Sequence, residues 1–190
     1  MKRIYDKIRD ERFPDSEIIR DVESAKNEPG FDINWEDNTQ SLLIIAILHD
    51  REELVRYLLT YPEIDVNHVE SDLENTSLHV SCCDRRVPIL KLLLSHRDIN
   101  VNIQNTWRWT GLHNACRYNH IEIVKELLLD ARVDVMIRDE LGETARDDAI
   151  RERHYGITNI LKMMQYTSLL RIPNEALLHD IVRMIIEEYV

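Results

Sequence analysis

The strings TSLHVS at Thr76–Ser81 and TGLHNA at Thr110–Ala115 stand 34 residues apart. A motif returning at that interval restricts a chain to stacked copies of one small helical unit. A single copy is too short to bury its own apolar face, so neighbours must cover it. Weaker copies flank the pair: SLLIIA at Ser41–Ala46 and TARDDA at Thr144–Ala149. A second marker keeps step, as Asp32-Ile33-Asn34, Asp65-Val66-Asn67, Asn100-Val101-Asn102 and Asp134-Val135-Met136. A third lies between them, at Leu54–Leu59, Ile89–Leu94 and Ile123–Leu128. Within it Leu54 and Leu58, Leu90 and Leu93, and Val124 and Leu127 recur at helical spacing on one face. The expected fold class is all-α, a solenoid of helix–turn–helix units.

The three markers in constant order resemble the ankyrin repeat: T-x-L-H-x-A opening an inner helix, V-x-x-L-L in an outer helix, and D-V-N leading into a β-turn finger. The resemblance covers residues 30–165 and implies four repeats, at 32–64, 65–99, 100–133 and 134–166. It implies that His79 and His113 tie the turn to the start of the inner helix. The chain departs from the pattern in the finger turn. The family places Gly two residues before the Thr, and Thr39, Glu74 and Arg108 stand there; only Gly142 conforms. A side chain at positive φ is uncommon and strained, so those turns are expected to take another conformation. Ile64, Ile99 and Val133 are expected to fill the seams between units. The fourth repeat is expected to carry three extra residues between its helices.

The two ends read differently. Residues 1–31 are expected to form an N-terminal helical cap, with a helix starting at Asp15-Ser16-Glu17 and Val22 and Ala25 facing the first repeat. Residues 167–190 begin a last helix after Pro173. Ile172-Pro173-x-Glu175-x-Leu177 is similar to the opening of an F-box, and that likeness implies binding of a Skp adaptor through Pro173, Leu177 and Ile181. The alternative is a capping helix on the fourth repeat.

Acidic residues outnumber basic ones, 35 to 24, for a formal charge of −11. That charge disfavours nucleic acid and anionic membranes as partners. No apolar run reaches the length of a membrane span. Cys82, Cys83 and Cys116 are odd in number and fall on the inner helices, which fits a reducing compartment, cytoplasmic or nuclear, of the cell or of a host.

The chain offers no reaction centre. The four glycines never cluster into a phosphate loop, and no nucleophile elbow, H-E-x-x-H helix or paired C-x-x-C is present. His113, Cys116 and His120 lie close in sequence, but the repeat motif claims both histidines. The expectation is a non-catalytic interaction module, monomeric, with no cofactor and no metal. By register with the family, the partner-facing positions are Trp107, Trp109, Arg117 and Tyr118 in the third repeat. Asp72, Leu73 and Asp84 belong to the second, and Glu140 and Leu141 to the fourth. Trp, Tyr and Arg are the residues most enriched at binding hot spots. The acidic flanks favour a protein partner with a basic residue beside an apolar one. Trp35 is read as packing. Asn67, eight residues after Leu59, fits the family's asparaginyl hydroxylation sites.

Overall fold

A computed structural model describes residues 2–37 and 40–169, together with 180, 183 and 184. The fold is an all-α repeat solenoid with a two-stranded hairpin. In chain order the elements are α1 (Lys2–Ile8), α2 (Asp15–Ala25), β1 (Glu36–Asp37), β2 (Gln40–Ser41), α3 (Leu42–Leu48), α4 (Glu52–Leu58), α5 (Ser77–Cys83) and α6 (Val87–Ser95). They continue with α7 (Gly111–Arg117), α8 (Ile121–Leu128), α9 (Ala145–Arg151) and α10 (Tyr155–Leu169). The chain divides into two compact units, one of Met1–Ser81 with Pro88–Asn100 and one of Cys82–Val87 with Val101–Val190.

Each inner helix is seven residues long, too short to persist without packing and a fixed start. The start is fixed by the residue that gives the repeat its signature. The backbone N–H and hydroxyl of Thr76 both reach Nδ1 of His79, at 3.2 and 2.9 Å. Thr110 treats His113 alike, at 3.1 and 2.9 Å. Nδ1 therefore accepts and Nε2 carries the proton, which His113 points at the Glu143 carbonyl. Burial lowers the pKa of His113 and keeps it neutral. In α9 a carboxylate replaces the ring: Thr144 donates N–H and O–H to Asp147 Oδ2, both at 2.8 Å. In α3 Ser41 caps the Ile44 N–H directly.

The inner helices end in one way. Asp50, Asn119 and Arg153 adopt φ of 54°, 58° and 62°. The N–H of the next residue then reaches back five positions, from Arg51 to Ala46, His120 to Ala115 and His154 to Ala149. This is the left-handed helix stop that usually employs glycine, built here from residues with side chains. The residue after the stop ties its helix pair to the helix before it. Nε2 of His120 lies 2.6 Å from the Cys83 carbonyl, and Nδ1 of His154 lies 2.9 Å from that of Cys116. Burial lowers the pKa of His120. Arg51 holds the equivalent place in the first repeat and reaches the carbonyls of Ile8, Asp10 and Phe13 at 2.9–3.2 Å.

That arginine explains the N-terminal cap. Residues 2–25 form a helix pair whose α1 packs on α3 and whose α2 packs on α4. Ile4, Tyr5 and Ile8 of α1 are buried, as are Ile18, Val22 and Ala25 of α2. Asp15 completes the joint, because its Oδ2 accepts the Leu54 N–H at the uncapped start of α4. Trp35 packs edge-on against Tyr5, whose hydroxyl donates to the Trp35 carbonyl.

Between repeats the D-V-N segments form an amide ladder. Asn34 donates to the Glu63 carbonyl and accepts from the Asp65 N–H, both at 2.8 Å. Asn67 spans Asp98 and Asn100 in the same way, and Asn102 spans Arg132 and Asp134. Ile64, Ile99 and Val66 are buried beside the ladder, while Val133 is half-buried.

Two expectations fail. Glu74 and Arg108 do not abandon the glycine conformation; their φ values of 55° and 58° follow the same path as Gly142 at 78°. The hydrogen bonds of the finger outweigh the strain of one residue. Thr39 lies outside the described residues. The fourth repeat has no extra residues between its helices: α9 ends at Arg151 and α10 begins at Tyr155, each 34 positions after the end of α7 and the start of α8.

Candidate partner-binding surface

The third finger turns on Asn105. Its Oδ1 accepts the N–H groups of Trp107 and Trp109, at 3.1 and 3.0 Å, and the side chain is buried. Asp139 repeats the device, accepting from Leu141 and Glu143 at 2.9 Å each. An Asx side chain that gathers two backbone donors stiffens a turn without core packing. The Glu140 N–H donates to the Trp107 carbonyl at 3.2 Å and joins the two fingers.

The two tryptophans lie against each other with ring centres 4.9 Å apart, tilted by 43°. Both are half-buried. Trp109 is tied down at its edge and its face: its indole N–H reaches Asp139 Oδ2 at 3.3 Å, and the Arg117 guanidinium sits 4.8 Å from its ring centre. Trp107 is held by the ring pair and by its backbone. Tyr118, which ends α7 and stacks on His120, is 51% exposed, and Leu141, at the tip of the fourth finger, is 70% exposed. Glu140 is exposed on the same tip. The third repeat and the fourth finger therefore bring Trp107, Trp109, Arg117 and the Glu140–Leu141 tip together within one compact unit, while Tyr118 lies at the other end of α7. Asp72 is exposed and Leu73 half-buried on the second finger, in the other unit. Asp84 is exposed beside Arg86.

Beneath the fourth finger lies a charged network. Asp148 on α9 is fully buried and pairs through Oδ1 with Arg151, which also holds Glu143. Arg117 approaches the same oxygen at 3.9 Å. Asp148 Oδ2 has no hydrogen-bond partner. Burial raises the Asp148 pKa to about 6; Arg151 and Arg117 pull against that rise, and Asp139 and Glu143 add to it. Oxygens of Asp139, Glu143 and Asp148 lie within 4.8 Å of one another. The two guanidinium groups already on these carboxylates oppose a metal cation there.

The remaining sequence expectations fall elsewhere. Both ends of the Asn67 amide are engaged in the ladder, so its residue type is explained by structure. Pro173, Leu177 and Ile181, the adaptor-binding candidates, lie outside the described residues. Cys82 and Cys116 are buried, and burial pushes the Cys116 thiol well above its usual pKa, so it is held as a thiol. No described helix is long and apolar enough to cross a membrane. Sequence reasoning missed Asn105, Asp139 and Asp148. The first two carried a readable signal: each stands five residues before the threonine that opens an inner helix.

Comparison with protein families agrees with this geometry. A model of ankyrin repeats in three copies matches residues 19–105, and a model of ankyrin repeats in many copies matches residues 93–149. No curated protein matches the chain. Ankyrin repeats are protein–protein interaction modules and are typically non-catalytic. Threonine–histidine caps, the asparagine ladder and the paired helices together with these matches place the chain in the ankyrin-repeat family.

Proposed function

We propose that this protein is a non-catalytic recognition module that holds a protein partner on the fingers of its third and fourth repeats. The observation that supports this reading is the presentation of Trp107 and exposed Leu141 on two adjoining fingers with braced backbones. Leu141 remains exposed although the finger carrying it is fixed by Asp139; Tyr118, also exposed, stands at the end of α7. A preformed surface spends little ordering entropy on binding. Glu140 beside Leu141 fits a partner with Lys or Arg next to an apolar anchor. Within this reading Trp109 and Arg117 are supports: they position Trp107 and leave it the ring available to a partner. The module acts as a monomer in the cytoplasm or nucleus. Recruitment of a ligase through residues 173–181 is an alternative that rests on sequence likeness alone.

Affinity capture from a host lysate, read by mass spectrometry, tests the proposal. Wild type is compared with Trp107→Ala/Leu141→Ala after circular dichroism confirms the fold. Partners lost with the variant support the finger surface. An unchanged partner list would sink it, and Skp and cullin peptides in that list would favour the adaptor.

A further inference from the structure

A second surface lies on the outer helices, within the unit that holds the first two repeats. The C-terminal ends of α4 and α6 and the loops after them enclose a groove of about 590 Å³. Leu59, Tyr61, Pro62 and Leu92 give it an apolar lining, and Arg56, His96 and Arg97 are its basic groups; Asp98 is its one carboxylate. The chain as a whole has the opposite balance, 24 basic to 35 acidic residues.

The lining groups differ in what already holds them. The neutral donors are spent inside the protein. Thr60 Oγ1 donates to the Tyr57 carbonyl, Ser95 Oγ to the Leu92 carbonyl, and the Tyr61 hydroxyl is paired with that of Tyr57 at 2.8 Å. The guanidinium groups are held only by exposed carboxylates close to them in sequence. The Arg97 side chain is 86% exposed and its Nε meets only the neighbouring Asp98. The Arg56 side chain is 52% exposed and engages Glu52 and Glu53, one turn back on its own helix. Exposed pairs of this kind contribute little and exchange readily with a better acceptor. A planar guanidinium beside an apolar floor matches a carboxylate on a peptide that also carries an apolar side chain. Nucleic acid fits poorly, because two arginines in one short groove are too few to follow a continuous phosphate backbone.

We infer that this groove is a second docking site, which takes a short acidic segment of a protein partner with one apolar side chain on Leu59 and Leu92 and its carboxylates on Arg56 and Arg97. The volume admits about four residues. This site is independent of the finger surface, so one module holds two segments of opposite charge character.

The test begins by panning a phage-displayed random heptapeptide library on the full chain. The expected consensus is a Leu or aromatic residue flanked by Asp or Glu. That peptide, made with a fluorescein label, is titrated by fluorescence anisotropy. Arg56→Glu/Arg97→Glu should weaken binding at least tenfold, and Arg56→Ala/Arg97→Ala should weaken it less. Trp107→Ala/Leu141→Ala should leave it unchanged. The alanine pair keeps the test readable should the reversal disturb folding. A library without acidic enrichment, or an acidic peptide that binds the arginine variants as it binds wild type, overturns the inference. Loss of binding only in the finger variant does so as well, by moving the acidic peptide to the other surface.

Discussion

The second finger, Glu70–Glu74, and the third, Gln104–Arg108, occupy the same register and share a left-handed residue at the same place. They are held by different atoms. In the third, buried Asn105 gathers the N–H groups of Trp107 and Trp109. In the second, the corresponding residue is Ser71, which is exposed and lies within 3.5 Å of Glu36. There the Glu70 side chain accepts from Asn75 Nδ2 at 2.8 Å, and the backbone closes through Glu70 and Asn75. One finger is braced from a buried centre and the other from its rim. Rim hydrogen bonds compete with water, whereas a buried acceptor cannot be replaced by it. The difference supports the proposal that recognition falls to the third finger, because large rings can be presented there on a backbone that does not need them for support.

The sharpest way to break the comparison is to remove the centre. Asn105→Ala leaves two part-buried backbone donors without their acceptor and should cost about 2 kcal/mol. Ser71→Ala should cost under about 0.5 kcal/mol. Urea denaturation of both variants measures the contrast. Equal losses would mean that the two fingers are braced alike.

The next effect lies under the fourth finger, where Asp148 stands at the register position of Asn114 and Val80. Its folded pKa of about 6 lies above the usual 3.8. Between these values the folded chain retains a proton that the unfolded chain has released, so stability falls as pH rises through this window. The full penalty persists above pH 6 and is about 3 kcal/mol as an upper figure. Asp148→Asn removes it but gives up the charge paired with Arg151, so a net gain of about 1–2 kcal/mol is expected at pH 7. Near pH 4 the gain should vanish. Melting curves at pH 4 and pH 7 check this, and a loss at pH 7 would show that the arginine pairing outweighs the burial of charge.

The parts of the molecule legible in sequence are those that repeat. Thr76 and Thr110 with their histidines announce the inner helices, and Val55, Leu90 and Val124 announce the outer ones, because each copy solves the same packing problem with similar residues. The helical cap was legible at Asp15, whose position after Pro14 marks a helix start. The role of Arg51 was not, since its partners are carbonyls of Ile8, Asp10 and Phe13, and carbonyls leave no trace in side-chain pattern. Glu74 and Arg108 misled for a related reason. Propensity speaks about one residue, whereas the turn answers to all the hydrogen bonds that close around it. At the candidate surface, register located the tryptophans but could not separate Trp107 from Trp109. That distinction depends on Asp139, 30 residues away from Trp109, and on Arg117 across the next helix.

A smaller effect tests the strain itself. Arg108→Gly and Glu74→Gly relieve a side chain at positive φ and should stabilise the folded chain by about 1 kcal/mol each, less the entropy that glycine adds to the unfolded state. Arg108→Gly should gain at least as much as Glu74→Gly, because the braced third finger has less freedom to relax. Thermal melts of the two variants give the order, and destabilisation by either would mean that its side chain contributes more than its backbone costs.

The smallest effect comes from transplanting the centre. Ser71→Asn places an acceptor at the position from which Asn105 reaches Trp107 and Trp109; the corresponding second-finger residues are Leu73 and Asn75. The expected gain is about 0.5 kcal/mol, because the second finger already has its rim brace and its turn is more exposed. The informative quantity is the coupling with Asn75→Ala, which removes the bond to Glu70. If rim and centre are alternative solutions to one turn, Ser71→Asn should gain more in the Asn75→Ala background than in wild type. A double-mutant cycle measures that excess, expected at about 0.5–1 kcal/mol. Strict additivity would show that the two braces act on separate parts of the finger. The stiffness of the third finger would then arise from its paired rings as much as from Asn105.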